Sequence, residues 1–170
     1  MKQSRLRPVE RGNRFEGLAP ADLSEPEAES LVDLALQVLE ARNRKGQALG
    51  SPTETQAYLR LRLAERPNEV LACLYLDTRH RVIALEELFQ GTIDGASVHP
   101  REVVRRALEC RAGAVIVAHC HPSGVAEPSQ ADLRLTERLK RALALVDVRV
   151  LDHVIVATEG TVSFAERGLL

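Results

Sequence analysis

Ala114-Val115-Ile116-Val117-Ala118-His119-Cys120-His121-Pro122-Ser123-Gly124-Val125-Ala126-Glu127-Pro128-Ser129-Gln130-Ala131-Asp132 runs from an apolar stretch through a polar loop into a helical pattern. Residues 114–118 are consecutive apolar positions of the length and character of a buried strand. Side chains two apart on an extended chain leave the same face, so His119 and His121 can offer both imidazoles to one point. Asp132, on the first turn of the next helix, can swing back to that point. Two neutral imidazoles and a carboxylate leave one position of a tetrahedral Zn2+ open, as in catalytic rather than structural zinc sites.

Each of these residues also has an ordinary reading. A histidine at a strand end commonly just hydrogen-bonds its surroundings, and Pro122, Ser123 and Gly124 are common loop residues. Ser129 with Asp132 three residues on fits a helix N-cap with an acidic N3 position. The cap and the metal site are compatible, because a cap fixes the helix start that presents Asp132. Chance assembly of all four residues at this spacing, behind a buried strand, is not expected.

The pattern His-x-His, seven residues, Ser, two residues, Asp resembles the JAMM signature of the JAB/MPN metallopeptidases. The flanking blocks Leu74–Arg79, Val98–Val103, His121–Gly124, Leu151–His153 and Ser163–Glu166 resemble the bacterial RadC family, in that family's order, over about residues 51–170. The resemblance implies one Zn2+ per chain on His119, His121 and Asp132, with Ser129 assisting the reaction intermediate. It also implies an upstream glutamate that activates water, for which Glu69, Glu86, Glu87 and Glu102 are candidates. Glu69 is our choice, because Pro67-Asn68-Glu69 opens an apolar strand much as a Pro-x-Glu does in many JAB domains. Glu102, three residues after His99 with Pro100 between, reads as the N3 member of a helix cap. Glu86 and Glu87 lie mid-strand, where alternation turns one of them to solvent.

Cys120 stands where RadC-like proteins usually carry Asn, and alternation turns it away from the ligands. A thiol close to zinc could alternatively be reactive or act as a ligand. His153, at a strand junction, is expected to hydrogen-bond backbone.

At 170 residues the chain suits one domain with an extension. Three scattered cysteines, Cys73, Cys110 and Cys120, argue against a disulfide framework and for a reducing cytoplasm. No apolar run reaches the ~20 residues that span a bilayer, and the N-terminus is too polar for a signal peptide. A net charge of −1 gives no global pull toward nucleic acid. Residues 1–23 are expected to be a flexible tail, whose Lys2, Arg5, Arg7, Arg11 and Arg14 are the one nucleic-acid hint. Residues 24–47 are expected to hold a capped helix (Ser24 with Glu27; Leu31, Leu34 and Val38 on one face) and a linker, and 48–170 the RadC-like JAB/MPN domain. The N-terminal segment shows no sign of the helix-hairpin-helix region of longer members, so the chain is expected to resemble the short stand-alone form, and a DNA-repair role gains little support.

A short helix is expected at 53–65, and strands at 69–77, 81–91, 114–119, 148–151, 153–158 and 161–165. Further helices are expected at 100–110, with Val103, Val104 and Leu108 inward, and at 129–145, with Leu135, Leu139, Ala142 and Leu143 inward. The fold class is α/β: a mixed sheet flanked by helices, of the MPN/JAB (cytidine-deaminase-like) architecture, with an N-terminal helical extension. The implied activity is zinc-dependent hydrolysis of a peptide or isopeptide amide in an unidentified protein or peptide substrate. Two other readings stand beside it: a non-catalytic MPN scaffold associated with DNA repair or mobile elements, and a phosphodiesterase. The second would call for two metals, more carboxylates and basic contacts.

Overall fold

A computed structural model describes residue 15 and residues 17–42, 51–64, 66–91 and 98–170. The basic residues of the expected tail and the linker glycines Gly46 and Gly50 lie outside these. The end of the expected tail forms one turn of 3₁₀ helix, Pro20–Asp22, in which Ala19 N donates to Asp22 Oδ2 at 2.8 Å. The chain divides into two compact units, the second beginning at Ala35. Helix α1 (Glu25–Arg42) starts as its cap residues foretell, Ser24 N donating to Glu27 Oε2 at 2.9 Å. Leu34 and Val38, expected on an apolar face, are exposed.

Five strands form one sheet in the order β2-β1-β3-β4-β5. They are β1 (Val70–Leu76), β2 (Val82–Gln90), β3 (Ala114–Cys120), β4 (Arg149–Ala157) and β5 (Gly160–Ser163). β3 and β4 are parallel and the other neighbours antiparallel. Asp77 closes the β1–β2 hairpin by accepting from Arg79 N and Arg81 N. β1 and β3 are apolar almost throughout and buried along their whole length, as central strands covered on both faces must be.

Helix α2 (Pro52–Leu63), capped by Ser51, covers one face with Leu59 and Leu63 on Ala72, Leu74, Ile116, Ala118, Cys120 and Val154. Helices α3 (Pro100–Glu109) and α4 (Gln130–Ala144) cover the other. There Val103, Ala107, Leu135, Leu139 and Leu143 pack on Leu71, Cys73, Tyr75, Val115 and Val117. This is the α/β architecture that the resemblance implies: a mixed five-stranded sheet between helices.

Two expectations need correcting. Leu108 is exposed and Ala107 is the buried residue of α3, because the inward stripe follows Val103 by four positions rather than five. The two strands expected at 148–151 and 153–158 are one strand, β4, with a bulge: Val115 pairs with Val150 but Ile116 with Asp152, leaving Leu151 extra. Among the described residues no helix is long and apolar enough to cross a membrane.

Candidate metal centre

The site forms at the C-terminal end of β3, on the α4 face of the sheet. His119 pairs with Leu71 of β1 on one side and Ile155 of β4 on the other. His121 extends the strand, its N–H donating to Val156 O at 2.8 Å. The chain then reverses: Gly124, at φ +90°, donates to His121 O, and a Cβ there would stand 3.0 Å from Thr158 Oγ1. Glycine suits both the left-handed backbone and the close approach.

The turn also orients the second imidazole. His121 Nδ1 lies 2.9 Å from Val125 O. A carbonyl can only accept, so Nδ1 carries the proton and Nε2 of the neutral ring presents a lone pair. Ser129 caps α4 as expected: its Oγ accepts from Asp132 N at 3.2 Å, while Asp132 Oδ2 accepts from Ser129 N at 2.7 Å. The reciprocal cap holds Asp132 Oδ1 pointing inward.

Three side chains meet there. His119 Nε2 is 2.7 Å from His121 Nε2 and 3.2 Å from Asp132 Oδ1, and His121 Nε2 is 3.6 Å from Asp132 Oδ2. Ligand atoms tetrahedrally placed at ~2.0–2.1 Å from a metal stand roughly 3.3 Å apart, so modest adjustment suffices to admit an ion. Asp132 Oδ1 is buried and has no hydrogen-bond partner among the described residues, which among native carboxylates calls for an explanation. An ion on His119, His121 and Asp132 provides one, and this group can hold a metal.

The electrostatics point the same way. Burial opposes ionisation of Asp132, but a proton shared at the His119–His121 contact, with the cap bond from Ser129 N, outweighs it and holds the carboxyl well below the usual range, as a cation at the same point would. Asp132 in turn raises the pKa of His121, against partial burial and with help from Val125 O and the charge of Glu69.

Glu69 lies just before β1 and lines the same small cavity as His119, Leu71, Phe89 and Val98. The other candidate glutamates are engaged elsewhere: Glu86 with Arg106, Glu87 with Arg66, and Glu102 with Arg101 and Arg105. Glu102 does sit at N3 of α3, but His99 makes no side-chain cap. Cys120 faces away from His119 and His121 as alternation requires, into the α2 layer. Its Sγ accepts from Val70 N and donates to Asn68 O, both at 3.3 Å, and burial raises its pKa.

His153 corrects the expectation of a backbone partner. Its ring is fully buried, with Nε2 at 2.8 Å from His119 Nδ1 and Nδ1 at 2.6 Å from Thr136 Oγ1. Burial drives its pKa well below the ordinary value, so it is neutral. Thr136 escaped the sequence reading altogether. Its position four residues after Asp132, on the same helix face, was the available signal.

Comparison with known proteins agrees with this geometry. The RadC-like JAB domain matches residues 49–169. A UPF0758 protein of Nitrosococcus oceani is 61% identical over 142 residues, 84% of this chain and 63% of its own length. Those of Thioalkalivibrio sulfidiphilus and Marinobacter nauticus are 58% and 55% identical, covering 91% and 92% of this chain and 68% and 69% of themselves. This chain thus spans about two thirds of the length of these relatives. With the family's match covering β1 through β5 and the whole His-His-Asp group, the chain belongs to the RadC-like JAB domain family.

Proposed function

We propose that this chain is a zinc-dependent hydrolase of the JAMM metallopeptidase type, acting on a peptide or isopeptide amide in a protein substrate of the cytoplasm. The observation that carries this reading is the convergence of His119 Nε2, His121 Nε2 and an unpartnered, buried Asp132 Oδ1 on one point. Three protein donors with room for a fourth are the usual set of a catalytic zinc. Free Cys73, Cys110 and Cys120 suit a reducing compartment.

Zinc held there would supply Lewis acidity, making water acidic near neutral pH and polarising a carbonyl. The residues of the chain do the rest. Glu69, beside His119 in the small cavity, takes the proton of the attacking water on its carboxylate and delivers it to the leaving amine nitrogen. Ser129 uses an Oγ lone pair in its cap, which leaves the hydroxyl proton to donate to the carbonyl oxygen as charge develops. Ser129 is exposed and His121 only partly buried, so a substrate can reach this side of the site.

The test is metal analysis of purified protein followed by assay on a panel of peptides and isopeptide-linked conjugates. One zinc per chain and amide cleavage abolished by a chelator are expected. Stoichiometric zinc with no cleavage of any member would replace the hydrolase with the scaffold reading.

A further inference from the structure

The proton positions along a buried chain of contacts behind the metal site can be assigned from hydrogen-bond chemistry. Thr136 Oγ1 carries one proton and has two close polar neighbours, Asp132 O at 2.7 Å and His153 Nδ1 at 2.6 Å. The carbonyl oxygen can only accept, so the hydroxyl proton goes to it. The threonine oxygen must then accept, and His153 Nδ1 bears the proton that it accepts. A neutral imidazole has one N–H, which leaves His153 Nε2 a lone pair. That lone pair faces His119 Nδ1 at 2.8 Å, so His119 donates from Nδ1. The lone pair of His119 is thereby placed on Nε2, 2.7 Å from the His121 Nε2 lone pair and 3.2 Å from Asp132 Oδ1, a meeting of electron pairs that a cation relieves, or a shared proton in its absence. Reversing the chain would set the Thr136 oxygen lone pairs against Asp132 O at 2.7 Å in a buried place.

We propose that Thr136 and His153 are positioning residues that lock His119 in its Nδ1–H tautomer, so that its Nε2 lone pair is turned to the metal. The inference rests on the metal-site reading above and says which residues prepare that site. Outer partners of metal-bound histidines do this generally, usually as a carboxylate, a carbonyl or water. Here the partner is a second imidazole, which can serve only if its own tautomer is fixed, and Thr136 fixes it. Asp132 stands at both ends: its carboxylate faces the metal position, and its main-chain oxygen terminates the relay.

The surroundings hold His153 still. Its N–H donates to Asp152 Oδ1 at 2.7 Å and its carbonyl accepts from Phe164 N at 2.9 Å. The Phe164 ring lies against its ring, with centroids 4.7 Å apart. Asp152 also accepts from Ser163 Oγ at 2.6 Å and Ala165 N at 3.0 Å. The blocks Leu151–His153 and Ser163–Glu166, which carried resemblance but no role, thus build the support under His119.

The experiment reads tautomers directly, by ¹⁵N–¹H imidazole correlation on the zinc-free full chain, and zinc affinity by chelator competition. Wild type should show Nδ1–H for both His119 and His153. Thr136→Val, nearly isosteric, removes the oxygen that accepts from His153. It should redistribute the His119 tautomer and weaken zinc binding about 10–100-fold, with Thr136→Ser restoring both. A wild-type His119 protonated on Nε2 and bare on Nδ1 would overturn the proposal, and this result does not depend on the folding of any variant. So would a Thr136→Val protein with wild-type tautomers and zinc affinity. Wild-type protein that shows the Nδ1–H pair but takes up no zinc would instead remove the metal reading and leave the tautomer lock standing.

Discussion

Asp132→Asn separates metal binding from folding, and the structure says by how much. In the capping box Asp132 Oδ2 accepts from Ser129 N at 2.7 Å, a bond that the carbonyl oxygen of an asparagine can keep. The amide nitrogen then occupies the place of Oδ1, 3.2 Å from His119 Nε2, and donates where an unpartnered acceptor stood. One new buried hydrogen bond contributes about 0.5–1.5 kcal/mol. Against this, the loss of a negative charge at a helix N-terminus costs about 0.3–1 kcal/mol. With both imidazoles neutral the two nearly cancel, so above the histidine range the metal-free variant should melt within roughly 2–4 °C of the metal-free parent. Zinc binding should not survive, since the single anionic ligand is gone and an N–H points at the His119 lone pair. The loss should exceed the ~10–100-fold typical of an outer partner. Calorimetry in chelator and a zinc competition titration measure both quantities. Zinc held at parental affinity would show that Asp132 is not a ligand. A melting temperature lowered by much more than a few degrees without metal would show that the carboxylate is chiefly structural.

Three further outcomes are expected. Glu69→Gln should keep zinc content and melting temperature while lowering turnover roughly 10²–10⁴-fold; Glu102→Gln, a half-buried residue paired with Arg101 and Arg105, should leave turnover unchanged, and the opposite pattern would move the general base to Glu102. Cys120→Asn should retain one zinc per chain, because an amide can take over the two bonds that Sγ makes to Val70 N and Asn68 O; metal lost on this change would mean that the thiol coordinates. Leu139→Ala, at a fully buried position on the helix that carries Asp132 and Thr136, should cost about 2–5 kcal/mol by denaturant titration, and a value under about 1 kcal/mol would mean that α4 is not seated as described.

The grouping of His119, His121 and Asp132 was legible because it depends on short-range geometry. His119 and His121 share a face through strand alternation, and Asp132 is tied to Ser129 by a cap spanning three residues. The relay was not legible, because Thr136 and His153 meet only through the packing of α4 on β4, seventeen residues apart in sequence. His153 was taken for a backbone hydrogen-bonder since nothing local to it names a side-chain partner. Glu69 could be ranked above Glu86 and Glu87 only through a resemblance; in the structure the latter two are claimed by Arg106 and Arg66, arginines from other segments. The inward stripe of α3 was misphased at Leu108 because a ten-residue helix gives too few turns to tell a spacing of four from one of five.

The extra residue of β4 has a consequence for what changes in length this chain tolerates. Val150 faces the α4 layer and Leu151 the α2 layer; without Leu151 as an unpaired residue, strict alternation would send residue 153 to the α2 side. The bulge resets the phase, so His153 lies under His119 while Val154 and Val156 still fill the opposite layer. Deleting one residue between Arg149 and Asp152 would therefore remove the bulge yet keep Ile116 opposite Asp152 and Val117 opposite His153, so every later side chain of the strand would stay on its side. The damaging change is loss of the bulge at constant length, which would set Leu151 opposite Ile116, send the His153 imidazole into an apolar layer and put a valine in its place beside His119. The residue count of this short segment is negotiable, whereas the unpaired state of its extra residue at full length is not.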